Sequence, residues 1–250
     1  MAVLITRPDE AGKNLAEMLN KSGIATIHLP LFSIAAGREL NELPNKLNNL
    51  KSGDYVVIVS KNVVRYANPT LQNTGFHWRS DLRYFAVGQS SAEHFAFHTE
   101  QAVSYPFAEE NSEGMLKLAP MQDLSGKSVL LLRGNGGREL FSEQVKARGA
   151  NLEVVECYQR TPLSYDPEVQ SSLCKRAGIS TIIVTSVEIL TALMDFIPKS
   201  EHNWLKTCQL ITVSRRIANL AVWYGWENIV IAPRADNATL LQTVLAQKNH

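Results

Sequence analysis

The sequence predicts an α/β protein made of two similar domains, each a parallel sheet flanked by helices. Three observations carry this. Short apolar runs rich in β-branched residues alternate with amphipathic stretches, the rhythm of βα units. The runs end in polar or glycine-containing turns, as strands feeding helices do. The chain also repeats itself: Arg7 and Arg133, Ser60 and Ser186, Ala92 and Ala218, and Asn111 and Asn237 are each 126 residues apart.

Val3–Thr6 reads as the first strand. Asp9 is placed to cap the helix that follows, where Ala11, Leu15, Met18 and Leu19 recur at helical spacing before Gly23 stops it. Ala25–Leu29 is a second strand, closed by Pro30. The offset then pairs whole strands. Val3-Leu-Ile-Thr-Arg7 matches Val129-Leu-Leu-Leu-Arg133, Tyr55–Ser60 matches Thr181–Ser186, and Phe85–Gly88 matches Ile211–Ser214. A repeat this long is a domain rather than a solenoid unit. Contiguous halves are the default topology. Leu29–Phe32 and its counterpart Val155–Tyr158 are candidate crossover hinges, however, and crossing at both would pack residues 1–32 with 166–250 and leave 39–157 as the other domain.

Composition bounds the function. The chain has 250 residues, 45% hydrophobic and 20% charged, enough to bury a core and stay in solution. Lys+Arg 25 against Asp+Glu 24 gives a net charge of +1, with no field to hold nucleic acid or an anionic membrane. Cys157, Cys174 and Cys208 lack metal or disulfide spacing, and no apolar stretch reaches the roughly 18 residues of a membrane span. A cytoplasmic protein is expected, with no membrane and no nucleic-acid partner.

In an open parallel sheet, ligands bind beyond the carboxyl ends of the strands, where helix N-termini offer free N–H groups. Arg7, Ser60 with Asn62, Ser91, Arg133 with Gly134, Asn135 and Arg138, Ser186, and Ser214 with Arg216 all fall at such ends. These hydroxyls, amides and guanidiniums suit carboxylates or phosphates. The glycines of Arg133–Arg138 allow close approach to an anion, or simply serve a tight βα turn. The turn is neither a Walker A loop nor GxGxxG, although Glu156 lies about where a dinucleotide fold puts its ribose-binding acid, which keeps a nicotinamide-dependent oxidoreductase open. Ser60, Ser91, Ser112, Ser186 and Ser214 read equally as helix caps. His94 and His98 have the spacing of a metal pair, but Glu93 does not complete HExxH, and they read as surface or packing histidines. Tyr158 ends an apolar strand at a proposed hinge, where a phenol can donate a proton or hydrogen bond to a leaving oxygen, or merely pack.

The chain resembles the uroporphyrinogen-III synthases from end to end. The resemblance is carried by Thr6-Arg-Pro8, Ser60-Lys-Asn-Val63, Ala86-Val-Gly-Gln-Ser-Ser-Ala92, Asn111-Ser-Glu-Gly114, Leu132–Arg138, Val155-Glu-Cys-Tyr158, Thr185-Ser186 and Asn237–Leu241. It implies a cofactor-free, monomeric cyclising hydro-lyase of haem biosynthesis that closes hydroxymethylbilane to uroporphyrinogen III, inverting ring D through a spiro intermediate. It implies also two α/β domains, the first discontinuous, with connectors at 33–38 and 158–165 forming a two-stranded link and the active site between the domains. By this likeness Tyr158 assists departure of the hydroxyl. Ser91 and Ser186 line the site, and Arg7, Ser60, Asn62, Arg133, Arg138 and Ser214 bind carboxylates. Arg216 replaces a threonine of some relatives and is placed to grip an acetate or propionate. Transient contact with hydroxymethylbilane synthase follows from pathway logic. A non-catalytic two-domain anion-binding protein is the remaining alternative.

Overall fold

The computed structural model describes residues 1–136 and 139–248. Its strands are β1 (Ala2–Ile5), β2 (Ala25–His28), β3 (Phe32–Ala36), β4 (Tyr55–Ile58), β5 (Arg83–Ala86), β6 (Val103–Ser104), β7 (Ser128–Gly134), β8 (Asn151–Pro162), β9 (Ile179–Ile183), β10 (Gln209–Thr212) and β11 (Ile229–Ile231). Its α-helices are α1 (Asp9–Lys21), α2 (Leu43–Asn49), α3 (Lys61–Asn73), α4 (Gln89–Thr99), α5 (Ser112–Lys117), α6 (Leu140–Ala147), α7 (Pro167–Arg176), α8 (Val187–Phe196), α9 (His202–Thr207), α10 (Arg215–Tyr224) and α11 (Asn237–Lys248).

Contacts divide the chain into two units: Met1–Ser33 with Thr161–His250, and Ile34–Arg160. Unit 1 holds a sheet in the order β11-β10-β9-β1-β2, with each neighbouring pair parallel. Unit 2 holds β3-β8-β7-β4-β5-β6, parallel from β8 through β6. Both faces of each sheet are buried, so its strands are apolar throughout while alternate residues serve opposite faces. Leu4, Ile182 and Leu210 face α8 and α10, whereas Val3, Ile5, Ile183 and Ile211 face Leu15 and Leu19 of α1 and Leu240 and Val244 of α11. In unit 2, Val56, Ile58, Leu130 and Leu132 meet α3 and Phe95 of α4, and Val57, Val129 and Leu131 meet α5 and α6.

The 126-residue offset maps β7, β8, β9, β10 and β11 back onto β1, β2, β4, β5 and β6, and the mapped strands occupy the same positions in the other sheet. The first sequence half therefore gives β1 and β2 to the unit 1 sheet and four strands, β3 included, to the unit 2 sheet, while the second half gives β7 and β8 to unit 2 and three strands to unit 1. The segment read as a hinge, Leu29–Phe32, leads into strand β3, which covers most of the connector expected at 33–38. The Gly37 N–H donates to Cys157 O at 3.0 Å and the Leu163 N–H to Leu31 O at 3.0 Å. Both bonds obey one antiparallel register, which sets Ile34 opposite Arg160, its own repeat counterpart.

The expected cap of α1 is corrected. Pro8 holds the N-cap position, and Asp9, the first residue of α1, has a left-handed φ of 55°. Pro8 has no side-chain oxygen, so the acidic Asp9 and Glu10 instead sit in the first turn, where the helix dipole favours them.

Candidate functional site

Three of the five serines named from sequence are N-caps. Ser60 Oγ accepts from the Asn62 N–H at 3.1 Å, Ser186 Oγ from the Ile189 N–H at 3.2 Å, and Ser214 Oγ from the Ile217 N–H at 3.3 Å. Ser112 is not a cap: Asn111 is, its Oδ1 accepting from the Gly114 N–H at 2.7 Å, which leaves Ser112 as the first residue of α5. Ser91 lies in the first turn of α4, half-buried. Gly88 caps α4 without a side chain, and Glu110 supplies the missing acceptor, its Oε2 taking the Gln89 N–H at 3.1 Å.

In unit 1, the Arg7 guanidinium is committed internally. Its Nη1 donates to Ala235 O at 2.7 Å and to Asn237 Oδ1 at 2.7 Å, while Asn237 Nδ2 donates to Ala11 O at 2.9 Å. Burial lowers its pKa from the ordinary arginine value, opposed by nearby Asp236, but an arginine stays charged. Arg216 stands exposed in the first turn of α10 with no ion pair among the described residues.

In unit 2, strand β7 ends at Arg133 and Gly134. Arg133 Nη2 donates to Glu139 Oε1 at 3.0 Å, and its buried Nε has no hydrogen-bond partner among the described residues. Gly134 pairs with Tyr158 across a register shift. A Cβ on Gly134 would stand 2.4 Å from Tyr158 Cε2 and 2.6 Å from Cζ, so this glycine exists to seat the phenol ring rather than a pyrophosphate. The ring is 2% exposed. Its hydroxyl accepts from Arg160 Nη2 at 3.4 Å, whose guanidinium lies 5.4 Å from the ring centroid, and its own O–H meets no acceptor among the described residues. Asn135 is a clamp: Oδ1 accepts from the Arg160 N–H at 2.6 Å and Nδ2 donates to Arg160 O at 3.2 Å. Gly136 takes φ 75° at the turn. Arg138 lies outside the described residues.

No group of three or more His, Cys, Asp or Glu side chains able to hold a metal occurs among the described residues, and no helix is long and apolar enough to cross a membrane. A family sequence model, Uroporphyrinogen-III synthase HemD, matches residues 13–242. Over 248 residues the chain is 41% identical to the uroporphyrinogen-III synthase of Salmonella typhimurium, covering 98% of this chain and 100% of the relative. The Escherichia coli protein of that name is 38% identical over the same shares. The chain belongs to the uroporphyrinogen-III synthase family. Solved structures of that name agree in fold at low identity. A mutant form from Thermus thermophilus aligns at TM-score 0.75 and 16% identity over 100% of both chains. The Helicobacter pylori protein aligns at TM-score 0.59 and 16% identity over 98% of this chain and 99% of that one.

Against this family background, Arg160 is the residue that sequence reasoning missed. Its signal was available: two residues beyond Tyr158 on one strand, the two side chains share a face. Glu139 and Glu110 were missed for a different reason. Each reaches its partner through a loop, where periodicity says nothing.

Proposed function

We propose that the protein closes linear hydroxymethylbilane to uroporphyrinogen III, inverting ring D, in tetrapyrrole biosynthesis. The observation that carries this reading is 41% identity over essentially the whole length of a relative of that name. The substrate's terminal C–O bond breaks, and its oxygen leaves as water with a proton from a donor. The resulting azafulvene is attacked by the substituted carbon of ring D. The spiro-pyrrolenine so formed fragments and recloses inverted, and a proton is lost.

The substrate supplies the reactivity, so the protein's task is orientation and electrostatics. The Tyr158 O–H, with Arg160 at its oxygen, is the donor to the departing hydroxyl. Arg133 offers its Nε–H to a carboxylate, and Arg216 offers an exposed guanidinium. Ser91 and the N-termini capped by Ser60, Ser186 and Ser214 add neutral donors, with Arg7 acting as a latch behind them. A protein of net charge +1 that binds an octacarboxylate relies on such amides. We take it to work as a cytoplasmic monomer that receives its labile substrate from hydroxymethylbilane synthase.

The test is to supply fresh hydroxymethylbilane and separate the products by isomer. Type III product is expected; type I alone, at the uncatalysed rate, sinks the reading.

A further inference from the structure

Strand β8 does not run evenly along β7. Glu156 faces Arg133 and Tyr158 faces Gly134, so Cys157 is an extra residue with no partner of its own on β7, a β-bulge. The two cores record its effect. Val154 packs on the α5 and α6 side of the sheet and Val155 on the α3 side, as strand alternation requires. Cys157 follows Val155, yet Tyr158 joins the same α3 cluster instead of turning to the opposite face. The bulge therefore re-aims the side chains beyond it. The segments on either side carry glycine at this place. A Cβ on Gly134 would meet the Tyr158 ring, and a Cβ on Gly37 would meet the Glu156 carbonyl oxygen.

Past the bulge, β8 continues to Pro162 while β7 stops at Gly134. Asn135 takes over the pairing. Its N–H donates to Tyr158 O at 3.0 Å, its Oδ1 accepts from the Arg160 N–H at 2.6 Å, and its Nδ2 donates to Arg160 O at 3.2 Å. One side-chain amide thus offers Arg160 the acceptor and the donor that a further strand residue would have offered.

Arg160 in turn orients the phenol. The two side chains share a face, and Arg160 Nη2 donates to Tyr158 Oη at 3.4 Å. A hydroxyl that accepts on one side of its oxygen turns its hydrogen to the other. At 3.4 Å the bond is near the outer limit of hydrogen bonding, so a shift of a few tenths of an ångström in the Arg160 main chain breaks it.

We propose that Asn135 is a positioning residue for the cyclisation: it pins the main chain of Arg160 beyond the Cys157 bulge and so fixes the direction in which Tyr158 offers its O–H. The assignment rests on Tyr158 being the donor to the departing hydroxyl. It removes Asn135 from the carboxylate-binding set that a strand end suggested, because the amide faces the backbone of the neighbouring strand. A misaimed donor slows C–O cleavage and leaves ground-state binding of the carboxylates alone, so the signature lies in kcat.

The test is a double-mutant cycle in the full chain with fresh hydroxymethylbilane, joined to amide hydrogen exchange. In N135A, kcat falls about fivefold, KM stays within about twofold, and the Arg160 N–H, its acceptor gone, exchanges about tenfold faster. In Y158F, adding N135A lowers kcat by no more than about 1.5-fold, since no donor remains to be aimed. N135D keeps an acceptor for the Arg160 N–H but loses the donor to its carbonyl. It shows the same coupling to Tyr158 at an intermediate kcat, and it carries the cycle if N135A does not fold. An unchanged kcat in N135A, a raised KM with kcat unchanged, or equal losses in the parent and Y158F backgrounds overturns the assignment alone. Parental kcat in Y158F removes Tyr158 as the donor, and the assignment falls with it. A wild type that yields only type I isomer strikes the cyclase reading first and this one in consequence.

Discussion

Arg7 and Arg133 occupy equivalent strand ends, one repeat apart, and their guanidiniums have opposite fates. Arg7 is committed to Ala235 O and Asn237 Oδ1, tying β1 to the start of α11. Arg133 meets one exposed glutamate and keeps a buried Nε with no partner among the described residues. The counterpart of Asn237 is Asn111, which caps its own helix rather than reaching the arginine. The comparison teaches that duplication conserved the strand-end frame while dividing the labour: one arginine is spent on holding the fold, and its twin keeps a donor unspent, the one that the proposed function gives to a carboxylate.

The strongest way to break this comparison is to disturb the seat of the phenol. Gly134→Ala drives a methyl into the Tyr158 ring. It should cost about 1–3 kcal/mol of stability and most of the activity, measured by thermal melting and isomer assay. The paired arginine variants sharpen it. Arg7→Ala loses two charge-assisted bonds and should lower stability by about 2 kcal/mol with KM nearly unchanged, whereas Arg133→Ala should melt almost like the parent and raise KM about tenfold. If both arginines behave alike, the division of labour is wrong. Tyr158→Phe, which keeps the ring on Gly134, should reduce kcat about tenfold and leave KM and melting in place.

The smallest effect concerns thiols. Burial pushes Cys174 and Cys208 up to about 11 from the ordinary 9.0. The folded state then binds more protons than the unfolded state between those values. Stability contributed by the neutral thiols is whole below pH 9 and declines as pH rises toward 11. Urea melts across that interval would show the decline, and Ser replacements should blunt it.

The parts of the fold visible in the sequence were those governed by periodicity and by the repeat. Tyr55–Ser60 and Thr181–Ser186 announced matching strand ends because buried parallel strands are continuously apolar and stop at a capping hydroxyl. Strand β3 was legible only through the family resemblance, which implied a two-stranded link at 33–38; by periodicity, Pro30 and the partly exposed side chains make this stretch read as a joint. The cap of α1 misled because Asp is a common cap, and only a backbone angle reveals that Pro8 holds the position. In the candidate site, the strand-end serines and arginines were readable, but not their allegiance. Whether a guanidinium is already taken depends on residues such as Ala235, 228 positions away.

The exchange of strands between sequence halves also dictates an order of birth. Unit 2 has all its parts once Arg160 has been made, while β1, β2 and α1 emerge first and must wait for β9, β10, β11 and finally α11. At roughly 5–20 residues per second, that wait on the ribosome lasts on the order of ten seconds or more, with an apolar strand edge unpaired. The amino-terminal β1-α1-β2 unit is thus the stretch of nascent chain most in need of a chaperone's cover.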